Sequence, residues 1–176
     1  GAINVLAELG LDDEVFLSFL PLSHSYEHTA GQFLPVALGA QIYYAESVDK
    51  LMDNMAEARP TLMMAVPRLY EVMHQRIQRA VEKTQGLRRR LFDAAIALGR
   101  QRFERPGSLT WAQRLADLLV ERLVRHKLRQ RFGGRLKALV SGGAALNYDL
   151  GLYFTALGIR ILQGYGQTEA SPIISV

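Results

Sequence analysis

One stretch of the chain decides its fold class: LKALVSGGAALNYDLGLYFTALGIRILQGYG, residues 136–166. It starts with Leu136–Val140, which predicts a buried strand. A helix follows and is closed by Gly158, and its apolar face consists of Leu146, Leu150, Tyr153, Phe154 and Leu157. Ile159–Leu162 predicts the next strand. Strand, helix and strand in this order form the unit of a parallel sheet, so the stretch indicates an α/β protein.

The same alternation extends toward the start of the chain. Further strands are predicted at Phe16–Leu20, Gln41–Tyr44, Thr61–Val66 and, after the quoted stretch, Ile173–Val176. Helices are predicted at Thr29–Leu38 and Val48–Ala58, the first closed by a glycine and the second by a proline. We therefore expect an α/β fold, with a mostly parallel sheet flanked by helices and with ligands bound beyond the carboxyl ends of the strands.

The middle of the chain, about residues 67–131, is predicted to be helical and basic. Its amphipathic helices are predicted at Leu69–Val81, Leu87–Leu98 and Trp111–Leu123. Their apolar stripes, including Met73 and Trp111, are expected to lie in the core. Between Arg68 and Lys137 the net charge is +12, from 18 basic and 6 acidic residues, whereas the rest of the chain carries −8. Solvated helix faces explain such a run; a surface that meets membrane phosphate, nucleic acid or a nucleotide is the alternative.

Length and composition exclude several classes of protein. The chain has 176 residues, a net charge of +4, 49% hydrophobic residues and no cysteine. These values exclude a disordered tail, a disulfide-stapled miniprotein, thiolate catalysis and cysteine zinc sites. No run reaches the roughly 18 apolar residues of a membrane span, and the start, Gly1–Asn4, lacks the features of a signal peptide. We expect a soluble, cytoplasmic protein, with association with a membrane as the alternative.

Three loops that follow predicted strands carry side chains suited to chemistry. The first is Pro21–His28, where polar residues and histidines can face a cleft. A capping loop, with Ser25 as the helix cap, is the alternative. His24 and His28 stand four residues apart, a spacing that also occurs in zinc sites, but the sequence offers neither an HExxH pattern nor an obvious third ligand.

The second loop, Ser141–Ala145, consists of small residues after a predicted strand. Small side chains let a flat ring or a phosphate approach the backbone closely. The helix predicted to begin near Asn147 turns its N-terminus toward the loop, which favours an anion there. Tight packing alone is the alternative explanation for this glycine-rich turn.

The third loop, Gln163–Pro172, places a hydroxyl and a carboxylate behind a tyrosine that stands between two glycines. Tyr165 can pack on a purine, and Thr168 can donate a hydrogen bond to a phosphate oxygen. Glu169 can help to hold Mg²⁺, which prefers oxygen ligands. A tight turn with a capping threonine and a first-turn acid is the alternative.

The third loop resembles a known signature. Tyr165-Gly166-Gln167-Thr168-Glu169 is similar to the tyrosine–glycine–any–threonine–glutamate motif of the AMP-forming acyl-CoA synthetases, in the adenylate-forming superfamily. Three further matches, in the order typical of the long-chain fatty acid branch, are Phe19-Leu20-Pro21-Leu22-Ser23-His24, Val66-Pro67-Arg68-Leu69-Tyr70-Glu71 and Ser141-Gly142-Gly143-Ala144. The resemblance covers nearly the whole chain.

This resemblance implies ATP-dependent activation of a long-chain fatty acid to an acyl-adenylate and then to acyl-CoA, with release of pyrophosphate and AMP. It implies ATP, Mg²⁺ and coenzyme A as cofactors and co-substrates, and catalysis by positioning and charge stabilisation. The implied catalytic residues are His24, Thr168 and Glu169, with Glu169 on the metal. The implied nucleotide site is Gly143, Ala144, Gln163, Gly164, Tyr165, Gly166 and Thr168. The implied acyl site is His24, Tyr26, Gly142 and Gly164.

The sequence departs from the family pattern in several places. Some relatives carry a gating tryptophan four residues after the motif histidine, where this chain has His28. The family's phosphate loop, its ribose-binding aspartate and its C-terminal domain have no match. The resemblance therefore predicts that residues 1–176 are one internal fragment of the large N-terminal domain, and that the isolated fragment is inactive.

Two alternatives to this function stay open. One is an adenylate-forming ligase for another carboxylic acid, such as an aryl acid. The other is a non-catalytic basic module that contacts an anionic membrane through Arg88–Arg90 and Arg125–Arg131. Nucleic acid is not expected as a partner, because aromatic residues are sparse among these cations and no nucleic-acid motif is present. The sequence does not fix the oligomeric state.

Overall fold

A parallel sheet of five strands organises the chain, as seen in a computed structural model that describes residues 12–167 and Glu169. The strands are β1 Val15–Ser18, β2 Gln41–Tyr44, β3 Leu62–Ala65, β4 Ala138–Ser141 and β5 Ile161–Gln163. The helices are α1, with a π-helical part Glu27–Phe33 and an α-helical part Leu34–Ala37, then α2 Leu51–Ala58, α3 Pro67–Glu82, α4 Leu87–Glu104, α5 and α6 Tyr148–Ala156. Helix α5 is continuous through Trp111–Val120, the π-helical Glu121–Arg125 and His126–Arg131.

The strand order is β2-β1-β3-β4-β5, and every neighbouring pair is parallel. This confirms the α/β fold expected from the alternation of strands and helices. The chain steps to one side from β1 to β2 and to the other side from β3 to β5, so the order reverses between β1 and β3. In open sheets of this order, ligands bind in the crevice at that reversal, outside the carboxyl ends of the strands.

Alternating side chains divide the core into two layers, one on each face of the sheet. On one face, Phe16, Met64 and Val140 pack against Tyr26 and Leu34 of α1. The opposite face is covered by α2, α3, α6 and the end of α5. Its buried residues include Leu17, Leu51, Met55, Met63, Leu69, Tyr70, Met73, Phe132, Leu139, Phe154 and Leu157. Connections between parallel strands are right-handed, so the direction of each step along the sheet decides the face on which its helix lies. The step from β1 to β2 goes in the opposite direction to the later steps, which puts α1 on the opposite face from α2, α3 and α6.

Helices α4 and α5 form an outer layer. Helix α4 approaches α6 at Gly99, where a β-carbon would lie 2.4 Å from the carbonyl oxygen of Ala156. Glycine is required at that position, because any side chain would collide with backbone atoms. A small apolar cluster of Ala95, Leu98 and Val120 is buried between α4 and α5.

Two predictions about α5 are wrong. Trp111, expected in the core, is 77% exposed, whereas Met73 of α3 is buried as predicted. The other stripe residues of α5 are also exposed: Leu115, Leu118, Leu119 and Leu123. Arg125, expected on a basic surface, is fully buried and pairs with Asp117. The helix turns these charged groups inward, and its apolar stripe is left on the outside.

The limits of the elements differ from the predictions by a few residues. Strand β1 ends at Ser18, because its ladder with β2 stops at Tyr44. Strand β4 begins at Ala138 and extends to Ser141. Helix α5 ends before Gly133 and Gly134, as predicted, and both glycines have positive φ. The strand predicted at residues 173–176 lies outside the described residues.

Candidate active site

Loops that follow β3, β4 and β5 lie side by side at the carboxyl edge of the sheet. The N–H of Gly164, just after β5, donates to the carbonyl oxygen of Ser141 at the end of β4 (2.7 Å). The N–H of Gly142 donates to the carbonyl oxygen of Ala65 at the end of β3 (3.0 Å). These bonds continue the pairing of the strands into the loops, so the second and third loops of the sequence analysis are adjacent.

Tyr26 joins the first loop to the second. Its side chain is buried, and its hydroxyl donates to the carbonyl oxygen of Val140 in β4 (2.9 Å). The tyrosine ring lies against Gly142, where a β-carbon would be 2.7 Å from Cζ of Tyr26. The ring therefore fills the space that the absent side chain of Gly142 leaves. All three sequence-predicted loops thus meet at one edge of the sheet.

His24 lies exposed in the first loop, next to Tyr26. The N–H of Tyr26 donates to Nδ1 of His24 (3.2 Å). A ring nitrogen that accepts a hydrogen bond carries no proton, so in the neutral ring the proton is on Nε2. His24 therefore presents an N–H donor to the solvent side of the loop.

A buried carboxyl group below the first loop was missed by the sequence analysis. Glu27 is fully buried, and Ser18 at the end of β1 donates its hydroxyl to Oε1 of Glu27 (2.5 Å). Gln32 in turn donates to the hydroxyl oxygen of Ser18 (3.1 Å). Burial raises the pKa of Glu27, and the hydrogen bond from Ser18 opposes the shift. The only signal in the sequence was an isolated acid that follows a buried strand by a few residues.

We predict that Glu27→Gln changes how stability depends on pH. Because burial raises the pKa of Glu27, the folded protein holds a proton that the unfolded chain loses above about pH 4. The stability contributed by this group is therefore full at low pH and falls as pH rises toward the folded-state value, by up to ~1.4 kcal/mol per pH unit. Urea denaturation between pH 4 and 8 should show that the free energy of unfolding of Glu27→Gln, relative to that of the unsubstituted protein, increases as the pH rises.

The control for this prediction is Glu57→Gln, which removes an exposed carboxylate from α2. It should change stability by less than about 0.5 kcal/mol. A Glu27→Gln effect that is constant across the pH range would show that the buried group keeps the same protonation state in the folded and unfolded chains.

The glycine loop leads into α6. Gly143 has a φ of +80°, in the left-handed region, and Gly143 and Ala144 are both exposed. Asn147 caps α6, as its side-chain oxygen accepts the N–H of Leu150 (3.1 Å). The loop therefore exposes backbone without bulky side chains, a surface on which a flat ring or a phosphate can lie.

The signature loop is exposed beyond β5. Gln163, Tyr165 and Gly166 are exposed, and Tyr165 is 57% accessible to solvent. The amide of Gln167 donates to the hydroxyl of Tyr165 (3.2 Å). Glu169 is also exposed. Thr168 lies outside the described residues.

Glu169 is a free carboxylate in the part of the chain that the structure describes, since none of the ion pairs there includes it. Within residues 12–167 and Glu169, no three His, Asp or Glu side chains are grouped to hold a metal.

Residues 2–176 match the family of AMP-binding enzymes. The chain belongs to this family. It is 37% identical over 164 residues to long chain acyl-CoA synthetase 6, peroxisomal, of Arabidopsis thaliana, across 92% of the chain and 22% of that relative. It is 32% identical over 161 residues to long-chain-fatty-acid–CoA ligase 1 of Homo sapiens, across 90% of the chain and 22% of that relative. The chain spans about a fifth of the length of these relatives.

Solved structures share the fold of this chain. The adenylation domain of a carboxylate reductase from Mycobacterium chelonae superposes with a TM-score of 0.64 at 23% identity, over 97% of the chain and 24% of that protein. The A domain of a carboxylic acid reductase from Segniliparus rugosus, in complex with AMP and a co-purified carboxylic acid, superposes with a TM-score of 0.54 at 22% identity. This match covers 90% of the chain and 21% of that protein.

Proposed function

We propose that the chain is an internal piece of the nucleotide-binding domain of a fatty acid–CoA ligase. The carboxylate of a long-chain fatty acid attacks the α-phosphate of ATP, which forms an acyl-adenylate and releases pyrophosphate. The thiol of coenzyme A then attacks the acyl group, which forms acyl-CoA and releases AMP. The observation that carries the proposal is the meeting of the three loops at the carboxyl edge of the sheet, with Tyr165 exposed just beyond β5. The names of the Arabidopsis and human relatives support the acyl-CoA ligase reaction and the long-chain acid.

The nucleotide is assigned to the glycine loop and the signature loop. Gly143 and Ala144 offer an uncluttered backbone for one side of the adenine ring, and the exposed ring of Tyr165 can stack on it. Gln163, Gly164 and Gly166 complete this site, and Thr168 donates a hydrogen bond to a phosphate oxygen. The residues present fit Mg²⁺, because the free carboxylate of Glu169 is a hard oxygen donor. When bound, the cation neutralises charge on the phosphates.

The carboxylate of the fatty acid is assigned to the first loop. The Nε2–H of His24 can donate to a carboxylate oxygen, which orients the acid toward the nucleotide. The acyl chain is assigned to the space beside Tyr26, Gly142 and Gly164. Because the ring of Tyr26 fills the space next to Gly142, the acyl chain of the fatty acid must pass along the face of that ring.

The reaction is tested with the full-length enzyme that carries this chain. We expect ATP–pyrophosphate exchange to need only a carboxylic acid and ATP, whereas continuous release of AMP also needs coenzyme A. The kcat/KM for acids of about sixteen carbons should be at least tenfold above that for benzoate, since each buried CH₂ contributes about 0.8 kcal/mol. Formation of ADP, or no pyrophosphate exchange with any acid, would contradict the ligase assignment. A preference for benzoate would contradict the long-chain acid alone.

The same assay tests the proposal that residues 1–176 are a fragment. The isolated chain should give no ATP–pyrophosphate exchange, and robust exchange would contradict it. Cell fractionation distinguishes two locations of the full-length protein. The sequence predicts a cytoplasmic one, and the name of the Arabidopsis relative includes the word peroxisomal.

A further inference from the structure

The outer side of α5 carries large apolar side chains in contact with solvent. Five of them are between 44% and 77% exposed: Trp111, Leu115, Leu118, Leu119 and Leu123. They recur at helical spacing and therefore lie along one side of the helix. We call these five residues, with the basic residues between and beside them, the outer face of α5. Such a row departs from ordinary surfaces, where exposed apolar residues are scattered singly.

Every exposed charge on α5 is positive. Its exposed basic residues are Arg114, Arg122, Lys127 and Arg131. Both acids of the helix turn inward, because Asp117 is buried against Arg102 and Arg125, and the half-buried Glu121 pairs with Arg125 and Arg129. The outer face thus combines a row of tryptophan and leucine with cations and has no acidic side chain.

This combination is typical of helices that lie in the plane of a membrane surface. Their apolar side enters the boundary between headgroups and acyl chains, while Lys and Arg meet anionic lipids. Leucine and tryptophan at the centre, with the long stems of the arginines at the sides, suit that boundary. A protein partner would have to bring acidic groups opposite each cation, whereas an anionic lipid surface supplies negative charge along the whole helix.

We infer that the outer face of α5 binds the surface of an anionic lipid bilayer. The face extends over 21 residues, Trp111–Arg131, which corresponds to about 30 Å of helix. No helix in the described part of the chain is both long enough and apolar enough to span a bilayer. The contact is therefore peripheral, with α5 lying on the membrane.

The neighbouring surface continues the outer face. A shallow depression beside Leu118 is lined by Leu109, Arg102 and Arg114, and by Asp117, whose charge is paired with Arg102. It extends the apolar and basic character toward the turn between α4 and α5. By contrast, the arginine run at the start of α4 is a weaker candidate, because Arg89 there pairs with Asp93. The proposed contact therefore keeps Lys127 and Arg131 of the predicted run Arg125–Arg131, adds the apolar side of α5, and leaves out the run at Arg88–Arg90.

The inference is tested by sedimentation of the full-length protein with vesicles. One set is pure phosphatidylcholine, and the other contains about one third phosphatidylserine. We expect the protein to pellet with the anionic vesicles, and to pellet less in about 0.5 M salt, where charge attraction is screened within a few ångströms. Without salt-sensitive binding to the anionic vesicles, the inference is wrong.

Two double variants locate the contact. Leu118→Gln/Leu119→Gln should weaken binding to anionic vesicles at least about tenfold, since burial of two leucines is lost. Arg122→Gln/Lys127→Gln should weaken binding about tenfold or more and reduce its dependence on salt. The matched control is Leu87→Gln/Lys83→Gln, which removes an exposed leucine and an exposed lysine away from α5 and should bind as before. Equal binding by all three variants would place the lipid contact elsewhere and overturn the inference.

Trp111 supplies an optical measurement at the same site. The difference between the fluorescence spectra of the unsubstituted protein and Trp111→Phe isolates this side chain from any other tryptophan. With anionic vesicles, this difference spectrum should shift to shorter wavelength and be quenched by lipids brominated near the headgroup. A difference spectrum that vesicles leave unchanged would contradict the inference.

The other occupants of the outer face give different results. If another part of the protein covered it, Leu118→Gln/Leu119→Gln would lower the thermal midpoint in the absence of lipid. If a second copy of the chain covered it, the same variant would change the molecular mass measured by light scattering. Either result would overturn the inference, and the charge variant Arg122→Gln/Lys127→Gln remains a test if the leucine variant does not fold.

Discussion

Replacing Arg125 by alanine should lower the free energy of unfolding by about 3–5 kcal/mol, as expected when one partner of a buried ion pair is removed. The guanidinium of Arg125 is fully buried between three helices. Its Nε donates to the carbonyl oxygen of Ala156 in α6 (2.8 Å), and one Nη donates to that of Ala95 in α4 (2.9 Å). The other Nη lies 2.7 Å from the carboxylate of Asp117 in α5. Alanine would remove a donor from both carbonyl oxygens and would leave Asp117 with Arg102 as its remaining cationic partner.

Urea denaturation measures this loss of stability. Two further variants, a surface control and a double substitution, show whether the loss comes from the buried ion pair. Arg122→Ala, on the exposed side of the same helix, is the control and should change stability by less than about 0.5 kcal/mol. Arg125→Met/Asp117→Leu removes both charges together and should recover part of the loss, because apolar side chains of similar volume replace buried ion pairs at little cost. A loss below about 1 kcal/mol for Arg125→Ala would mean that the guanidinium is not buried in solution.

Replacing Glu169 by glutamine should lower kcat of the full-length ligase about 100- to 1000-fold. The glutamine side chain keeps the shape of Glu169 but lacks the negative charge that we propose binds Mg²⁺. Removal of one group that stabilises charge in a transition state has an effect of this size. Glu169 is suited to the role because it is exposed and has no cationic partner among the described residues. The measurement is the initial rate of pyrophosphate release over a range of Mg²⁺ and ATP concentrations.

The control for this prediction is Glu82→Gln, which removes an exposed carboxylate at the end of α3 and should leave kcat within about twofold. If Glu169 binds the metal, the Mg²⁺ concentration at half-maximal rate rises in Glu169→Gln as kcat falls. A variant with unchanged kcat and unchanged Mg²⁺ dependence would remove Glu169 from the metal site and leave the nucleotide assignment to Tyr165 and the glycine loop.

The order and type of the elements could be predicted from the sequence because each one is marked locally. Runs such as Thr61–Val66 are apolar and end at a proline, and the helices have apolar stripes with glycine or proline at their ends. Adjacency of the loops followed from the parallel sheet, since the carboxyl ends of parallel strands share one edge. The position of the reversal between β1 and β3 could not be predicted, because strand order is set by tertiary packing.

The errors concern side chains whose environment is built by distant segments. Periodicity shows that α5 has an apolar side, but it does not show which side faces the protein. Arg125 can be buried because carbonyl oxygens of Ala95 and Ala156, about thirty residues away on either side, accept hydrogen bonds from its guanidinium. Glu27 is buried because Ser18 and α1 enclose it. No local pattern reports such partners, so the charge run suggested a surface arginine at position 125, and nothing in the sequence singled out Glu27.

The ring of Tyr26 has a consequence for the size of the molecule that this edge of the sheet can accept. It separates two backbone segments, and it is held at one end by the carbonyl of Val140. Rotating the ring away would break that hydrogen bond, at a cost of about 1 kcal/mol, and would leave a void beside Gly142. The ring therefore occupies the volume beside Gly142 in the folded chain, and a bulky ligand at this edge would have to lie elsewhere or displace the ring at that cost.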